Sequence, residues 1–204
     1  MLSGKRARIA IFASGTGSNA LKIIQHFTSH PYIRVRAVVC NNPEAGVIRY
    51  AKDYDIPTLQ INSKSLSDPK WFLRELQALG VDYIVLAGFL LLIPEYVIDK
   101  FPGKIINIHP ALLPKYGGKG MYGMHVHEAV KKAGEKETGI TIHHVNKNYD
   151  DGEIVFQKSI PIDPKDTPEM IAQKVHALEH AYYPDVIERW IESDIQALAK
   201  SGSK

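Results

Sequence analysis

Short apolar runs alternate with helical stretches over the first half of the chain, and this alternation constrains the fold more than any other feature. The runs are rich in β-branched residues, and the stretches between them carry apolar residues at helical spacing. Such alternation is typical of a parallel sheet with helices on both faces. We therefore predict an α/β domain with a Rossmann-like, mostly parallel sheet. The predicted strands are residues 8–12, 35–40, 58–61, 83–86 and 105–108, and the predicted helices are residues 19–27, 45–54, 70–79 and 94–100.

The pattern changes after Pro110. Residues 111–124 contain four glycines and predict a long loop, which is followed by a short helix at residues 125–132. Two strand-like segments, 138–145 and 154–160, are separated by a polar turn. Their proximity predicts an antiparallel hairpin that extends the sheet.

The last segment predicts a long helix. Asp166-Thr167-Pro168 places a capping side chain before a proline, which is typical of a helix start. We expect the last dozen residues, which include Ser201-Gly202-Ser203, to fray. The apolar face of the helix would be formed by Ile171, Val175, Leu178 and Tyr182.

Composition restricts the class of protein. With 204 residues, 45% of them hydrophobic, the chain can form one domain over residues 1–204. The net charge of +3 is far below that of a nucleic-acid-binding protein, although it suits anionic small substrates. Cys40 is the single cysteine, which excludes an intramolecular disulfide, and we predict that it is a packed thiol.

The N-terminal segment does not have the pattern of a secretory signal peptide. Residues 1–8 are short and basic and lack the apolar core and cleavage site of a signal peptide. No apolar run approaches the roughly 18 residues that a membrane span needs. We therefore expect a cytoplasmic protein without a membrane partner.

A polar pair ends the predicted strand at residues 105–108. Asn107 and His109 are two residues apart, so on a strand both side chains project to the same face. An amide donor beside an imidazole can bind an oxyanion and transfer a proton, and Asp150 could hold the imidazole oriented or protonated. These residue types suggest acyl or formyl transfer. The alternative is a polar pair that merely terminates a strand.

A glycine-rich segment follows the first strand and opens the first helix. Gly15-Thr16-Gly17-Ser18-Asn19 would expose backbone N–H groups at a helix N-terminus, which favours an anion. A dinucleotide site would need an acidic residue at the end of the second strand, where the chain has Asn41 and Asn42. The segment therefore favours a monophosphate site, and a tight turn without a ligand is the alternative.

Two histidine pairs are weaker candidates. His125 and His127 alternate like a pair of metal ligands, but no third ligand has a convincing spacing, so we predict no metal and allow that one of them lines the cleft. His143 and His144 would point to opposite faces of a strand, and we expect one to be solvated and one packed.

Taken together, these segments make the chain similar to the glycinamide ribonucleotide formyltransferases, the folate-dependent enzymes of purine synthesis. The similarity runs from about Arg8 to Trp190. The matching segments are Ser14-Gly15-Thr16-Gly17-Ser18-Asn19, Val85-Leu86-Ala87-Gly88-Phe89, Ile106-Asn107-Ile108-His109-Pro110, Ala111-Leu112-Leu113-Pro114, Tyr149-Asp150-Asp151-Gly152 and the Glu179-His180 pair with Tyr183-Pro184.

The resemblance implies a nucleotide- or phosphate-binding half at about 1–110, a folate-site and closing half at about 111–195, and a role for each matching position. Asn107, His109 and Asp150 would be catalytic, with Asp150 raising the pKa of His109 so that the imidazolium donates to the oxyanion. The glycine-rich segment would bind the phosphate of glycinamide ribonucleotide, and Glu179 would contact its ribose. The co-substrate would be 10-formyltetrahydrofolate, with residues 146–150 closing over the pterin, no metal, and a monomer or homodimer as the assembly. The implied folate-binding residues are Leu90, Leu91, Leu92, Ile93, Asn107 and, for the glutamate tail, Lys70.

The chain departs from the family pattern at three places. Pro69, with Lys70 beside it, stands where relatives commonly have a basic residue near the folate tail. His176 stands where relatives often have a lysine three residues before the helix acid. Residues 117–124 form a longer loop than the family pattern predicts.

Three other functions share part of this signature. A methionyl-tRNA formyltransferase would be expected to carry a further C-terminal domain, and a formyltetrahydrofolate deformylase an N-terminal one. A non-catalytic binding module would leave the coincidence of Asn107, His109 and Asp150 unexplained. We therefore favour formyl transfer to glycinamide ribonucleotide.

Overall fold

The predicted strands form one seven-stranded sheet in the computed structural model, which describes residues 6–201. The expected mostly parallel α/β fold is confirmed. Predicted strand boundaries differ from the observed ones by no more than two residues. The strands are β1 (Ala7–Phe12), β2 (Ile33–Cys40), β3 (Thr58–Gln60), β4 (Tyr83–Leu86), β5 (Ile105–His109), β6 (Glu137–His144) and β7 (Ile154–Pro161).

The strand order is β3-β2-β1-β4-β5-β6-β7. The first five strands of this order are parallel, and β6 and β7 form the predicted antiparallel hairpin at one edge. The chain leaves β1 towards β3 and then returns to pair β4 with the other side of β1. The loops after β1 and β4 therefore diverge, and a crevice at the carboxyl end of two such strands is where ligands bind in open α/β sheets.

Seven helices lie between or after the strands within residues 6–201. The sequence pattern misses only the short α3, whose four residues are polar except for Leu66, and which is held by a reciprocal cap between Asn62 and Ser65. The helices are α1 (Ser18–Phe27), α2 (Gly46–Asp53), α3 (Ser63–Leu66), α4 (Pro69–Ala78), α5 (Glu95–Lys100), α6 (Met124–Lys132) and α7 (Pro168–Ser201).

The core has two parts, one on each face of the sheet. Successive residues of β1 belong to different parts: Ile9 and Ile11 pack with α1, α2 and α7, whereas Ala10 and Phe12 pack with α4 and α5. This is the period of two that a strand buried on both faces requires. Cys40 is 1% exposed in the first part, which confirms the packed thiol.

The C-terminal prediction is partly wrong. Thr167 caps α7 as expected, with its Oγ1 accepting a hydrogen bond from the Met170 amide at 3.3 Å. However, α7 continues to Ser201 instead of fraying over its last dozen residues, because Ile195 is buried in the first part of the core. Of the predicted apolar face, Ile171 and Val175 are buried and Leu178 and Tyr182 are partly buried. Gly202 and Ser203 lie outside the described residues.

No helix in the described part of the chain has both the length and the apolar character that a membrane crossing requires.

Packing of the far end of α7 can be tested by truncating its buried side chain. Ile195 is 7% exposed, so Ile195→Ala is expected to lower the free energy of unfolding by about 2–4 kcal/mol through lost burial and a residual cavity. Denaturant unfolding measures this change. Met170→Ala, on the same helix but 44% exposed, is the matched control and should change stability by less than about 0.5 kcal/mol. Equal effects of the two substitutions would contradict the packing described.

Candidate active site

A cavity of about 380 Å³ opens at the carboxyl edge of the sheet, between the loops that follow β1, β4 and β5. It brings together almost all predicted site residues. Lys70 is the exception: it is exposed on α4 and does not line the cavity, so a contact with a folate tail would lie outside it. The predicted residues that line the cavity are Gly15, Thr16, Gly17, Ser18, Asn19, Leu90, Leu91, Leu92, Ile93, Asn107, His109, Asp150 and Glu179.

The glycine-rich segment presents an uncapped helix N-terminus to this cavity. Gly17 precedes α1 with a left-handed φ of 80°, and no side chain accepts a hydrogen bond at this cap. A Cβ at Gly17 would lie 2.7 Å from both Cα and Cβ of Val47, so only glycine fits. The first turn of α1 has no acidic residue. Its N–H groups and helix dipole therefore favour an anion from the cavity.

Glu179 connects α7 to this segment. The Asn19 Nδ2 donates to Glu179 Oε2 at 2.9 Å, and Nε2 of His176 lies 4.0 Å from the same oxygen. Burial raises the pKa of Glu179 above its ordinary value, although the Asn19 hydrogen bond and the charge of His176 oppose this. Glu179 is only 5% exposed but lines the cavity, so its carboxyl group can accept hydrogen bonds from a bound hydroxyl.

Asn107, His109 and Asp150 meet in the same cavity, where β5 ends. His109 is 3% exposed, with Nδ1 3.5 Å from Asp150 Oδ2, and Asn107 Nδ2 lies 3.4 Å from Asp150 Oδ1. The two-residue spacing on β5 does place both side chains beside one carboxylate. Asp151 is exposed and accepts a hydrogen bond from Asn148 instead, so of the two adjacent aspartates it is Asp150 that lines the cavity.

Asp150 is held by backbone as well as by histidines. It has a positive φ of 52°, and its Oδ2 accepts a hydrogen bond from the Gly118 amide at 2.9 Å. Burial raises the pKa of Asp150, but the neighbouring rings of His143 and His109 and the hydrogen bond from the Gly118 amide together bring the pKa below its ordinary value. Asp150 is therefore an ionised carboxylate at neutral pH.

His143 is a site residue that the sequence pattern misses. It is directly opposite Asn107 in the β5–β6 pairing and is 2% exposed. Its Nδ1 lies 2.8 Å from the carbonyl oxygen of His144 and therefore carries the proton, which leaves Nε2 to accept from Asn107 Nδ2 at 3.1 Å. Both amide hydrogens of Asn107 are thus directed, one towards His143 and one towards Asp150.

The signal for His143 was present but could not be read without the strand register. Only the antiparallel pairing with Asn107 decides which of the two adjacent histidines faces the site. The expectation that the other is solvated is wrong: His144 is partly buried, with its ring 6.0 Å from that of Trp190. In the second pair, His127 lines the cavity as allowed, and His125 is exposed.

His109 is a neutral imidazole at rest, and Asp150 acts on its pKa in the expected direction without raising it overall. Burial lowers its pKa, while the charge of Asp150 and the hydrogen bond to the Tyr116 carbonyl raise it, and the net direction is downward. His109 Nε2 lies 2.7 Å from the Tyr116 carbonyl oxygen, so the neutral ring carries its proton there. Asp150 then faces the unprotonated Nδ1 and is positioned to stabilise a second proton.

One cluster within residues 6–201 has the spacing of metal ligands, and it lies outside the cavity. It consists of His30, Glu188 and Glu192. The Ile33 amide donates to His30 Nδ1 at 2.9 Å, so the ring proton is on Nε2, which donates to Glu188 at 3.3 Å. Binding a metal through Nε2 would require a proton on Nδ1, facing the Ile33 N–H. The geometry favours a hydrogen-bonded cluster.

The interaction between His109 and Asp150 can be tested by titration. Asp150→Asn is expected to lower the pKa of His109 further, because the negative charge that raises it is lost while burial remains. An NMR titration of the His109 ring measures the shift. Asp151→Asn removes the adjacent, exposed carboxylate and should leave the titration unchanged. A His109 that titrates identically in wild type and Asp150→Asn would show that the two groups are not coupled.

Burial of His127 should make stability depend on pH. Burial, followed by the charges of His176 and His109, lowers its pKa from 6.5 to about 4. The unfolded chain therefore takes up a proton near pH 6.5 that the folded protein accepts only near pH 4, so stability is full above pH 6.5 and falls through this window. The loss is about 3 kcal/mol.

Denaturant unfolding of wild type, His127→Gln and His125→Gln between pH 7 and 4 measures this contribution. His127→Gln should lose less stability than wild type on acidification, whereas His125→Gln should behave like wild type because His125 is exposed. If the free energy of unfolding changed with pH in the same way in all three proteins, the contribution assigned to His127 would be refuted.

The chain matches known proteins of one family over most of its length. Residues 7–187 match the formyl transferase family. The chain is 40% identical over 199 residues to the chloroplastic phosphoribosylglycinamide formyltransferase of Arabidopsis thaliana, covering 94% of this chain and 68% of the relative. It is 38% identical over 187 residues to that enzyme from Bacillus subtilis strain 168, covering 89% of this chain and 93% of the relative.

Solved structures give the same result. A crystal structure of phosphoribosylglycinamide formyltransferase from Anaplasma phagocytophilum superimposes with a TM-score of 0.81 at 35% identity, covering 90% of this chain and 86% of the other. The chain therefore belongs to the formyl transferase family, within its phosphoribosylglycinamide formyltransferase branch.

Proposed function

We propose that the protein transfers the formyl group of 10-formyltetrahydrofolate to the amine of glycinamide ribonucleotide. The observation that carries the proposal is the meeting of Asn107, His109 and Asp150 in one cavity whose other wall is an uncapped helix N-terminus. The chain would act as one domain, with residues 1–110 contributing mainly phosphate contacts and residues 111–195 mainly closure. A cytoplasmic location, a monomer or homodimer, and the absence of metal and nucleic acid stay predictions.

The ribonucleotide would bind at the α1 side of the cavity. Its phosphate dianion would accept hydrogen bonds from N–H groups of Gly17, Ser18 and Asn19, for which no side-chain acceptor competes. Gly15 and Thr16 would shape the turn. The ribose hydroxyls would donate to Glu179, whose carboxyl group is already oriented by Asn19. This arrangement would direct the glycinamide amine towards the other end of the cavity.

The folate would bind beside Leu90, Leu91, Leu92 and Ile93. The side chains of Leu90 and Leu92 are 55% and 43% exposed at the cavity wall, which suits an aromatic ligand that would bury them. Asn146, Asn148, Tyr149 and Asp150 also line the cavity, and the segment 146–150 would close over the pterin. The formyl group would then lie near Asn107.

The reaction begins when the amine nitrogen attacks the formyl carbon and the carbonyl oxygen becomes an oxyanion. Asn107 would donate to it by redirecting the amide hydrogen that contacts Asp150 at 3.4 Å, the longer of its two contacts. The 3.1 Å contact with His143 would keep the amide group oriented. His109 would be the second donor, with the oxyanion replacing the Tyr116 carbonyl at Nε2.

The proton released by the attacking amine would go to the His109–Asp150 pair. His109 is neutral at rest, so it can accept this proton, and Asp150 beside Nδ1 stabilises the imidazolium that forms. The intermediate then collapses: the bond from the formyl carbon to the folate nitrogen breaks, and that nitrogen receives the proton. The products are the formylated ribonucleotide and tetrahydrofolate, and no atom or electron remains unassigned.

The proposal predicts which side chains turnover requires. Asn107→Ala and His109→Ala are each expected to lower turnover on the order of 10²–10³-fold, because each removes an oxyanion donor. Release of tetrahydrofolate from 10-formyltetrahydrofolate is followed with and without glycinamide ribonucleotide. Asn62→Ala removes an asparagine outside the cavity and should retain turnover. Circular dichroism confirms that each variant is folded.

Each outcome of this assay has a distinct meaning. Release that requires the ribonucleotide supports the proposal, and release without it would indicate hydrolysis by water as acceptor. A folded Asn107→Ala or His109→Ala protein with near-full turnover would remove that residue from the mechanism.

A further inference from the structure

Ser14 connects three strand ends without lining the cavity. It follows β1, and its amide donates to the Gly88 carbonyl, beyond β4, at 3.0 Å. Its hydroxyl donates to Asn41 Oδ1, beyond β2, at 2.5 Å. The same hydroxyl accepts from the Leu90 amide at 3.0 Å. Ser14 is 5% exposed, so its hydroxyl is largely shielded from water.

The direction of each bond is fixed by chemistry. The Oδ1 of Asn41 has no hydrogen, so the Ser14 hydroxyl must donate to it, and the Leu90 N–H can only donate. The hydroxyl therefore uses its one hydrogen and one of its lone pairs at the same time. An alanine at this position would leave the Leu90 amide and the Asn41 oxygen without these partners.

The two loops that meet at Ser14 line different halves of the cavity. Residues 15–19 form the half where the ribonucleotide would bind, and residues 90–93 form the half where the folate would bind. The Leu90 side chain is 55% exposed, so its burial does little to fix the loop. Phe89, Leu91 and Ile93 pack against the second part of the core, and the bond from the Leu90 amide to Ser14 adds a polar constraint at the exposed residue between them.

We propose that Ser14 is a positioning residue that couples the two halves of the cavity. Its hydroxyl fixes residues 90–93 relative to residues 15–19, so a ligand that orders one loop favours the conformation in which the other binds. Such coupling is reciprocal, with each ligand changing the affinity for the other by the same factor. The identity of the two ligands rests on the proposed function. The positioning role of Ser14 rests only on its hydrogen bonds.

The positional part is tested on the ligand-free protein by amide hydrogen exchange. Ser14→Ala is expected to speed exchange of the Leu90 amide about 5- to 10-fold, the effect of losing one hydrogen bond. Ser14→Thr retains a hydroxyl and should restore slow exchange. Ser67→Ala removes a hydroxyl that bonds within α3, away from the cavity, and should leave Leu90 unchanged. Unchanged exchange at Leu90 in a folded Ser14→Ala protein would overturn the positioning role.

The coupling is tested with a pair of ligands that cannot react, glycinamide ribonucleotide and tetrahydrofolate. Calorimetry gives the Kd of tetrahydrofolate with and without saturating ribonucleotide. We expect the ribonucleotide to lower this Kd at least about 5-fold in wild type and Ser67→Ala. In Ser14→Ala, the ratio of the Kd without ribonucleotide to the Kd with it should approach one. A purely structural serine would lower thermal stability but leave the ratio intact, which would overturn the proposal.

The remaining outcomes separate this inference from the proposed function. If both ligands bind to the wild type but the ribonucleotide does not change the Kd of tetrahydrofolate, the coupling is overturned and the proposed function is not. If neither ligand binds, the proposed function and the coupling both fail, while the exchange of Leu90 still decides whether Ser14 positions the loop.

Discussion

The two-sided pairing of β5 is the constraint on which the site depends. Parallel pairing with β4 brings Asn107 and His109 to the carboxyl edge, beside the glycine-rich segment. Antiparallel pairing with β6 places His143 opposite Asn107, and the turn after β6 supplies Asp150. Ile106 and Ile108, buried on the α1 and α7 side, fix this register, because a slip by one residue would exchange the faces of all five side chains of β5. The polar cluster is therefore positioned by apolar burial on the other face of the same strand.

At His109, burial and charge act in opposite directions, and burial is the stronger. Two acceptors, the Asp150 carboxylate and the Tyr116 carbonyl, flank the ring nitrogens, yet the pKa remains below its ordinary value. A negative charge that develops in the cavity would favour protonation of the His109 ring, which burial otherwise keeps neutral. The His109 ring is therefore uncharged at rest, beside the ionised Asp150, and is able to accept a proton.

The sequence pattern predicts the fold well because periodicity reports local burial. The alternation of apolar runs identifies every strand, and the spacing of Asn107 and His109 identifies their shared face. What it misses depends on distant parts of the chain. The register that selects His143, the backbone carbonyl of Tyr116 that binds His109, and the core contact of Ile195 that extends α7 are all set by tertiary packing. The net direction of the pKa shift of His109 could not be predicted for the same reason, since depth of burial cannot be read from neighbouring residues.

The uncapped start of α1 has a consequence for how this protein can be stabilised. An asparagine, aspartate or serine at a helix N-cap typically adds about 1 kcal/mol, and such substitutions are an ordinary route to thermostable variants. Here that route is closed twice, because position 17 has a left-handed φ and Val47 occupies the space of a Cβ. A capping side chain would also compete with an incoming anion for the same N–H groups. Gly17 thus leaves α1 without the stabilisation of an N-cap, and the same lack of a cap leaves its N–H groups available to an anion.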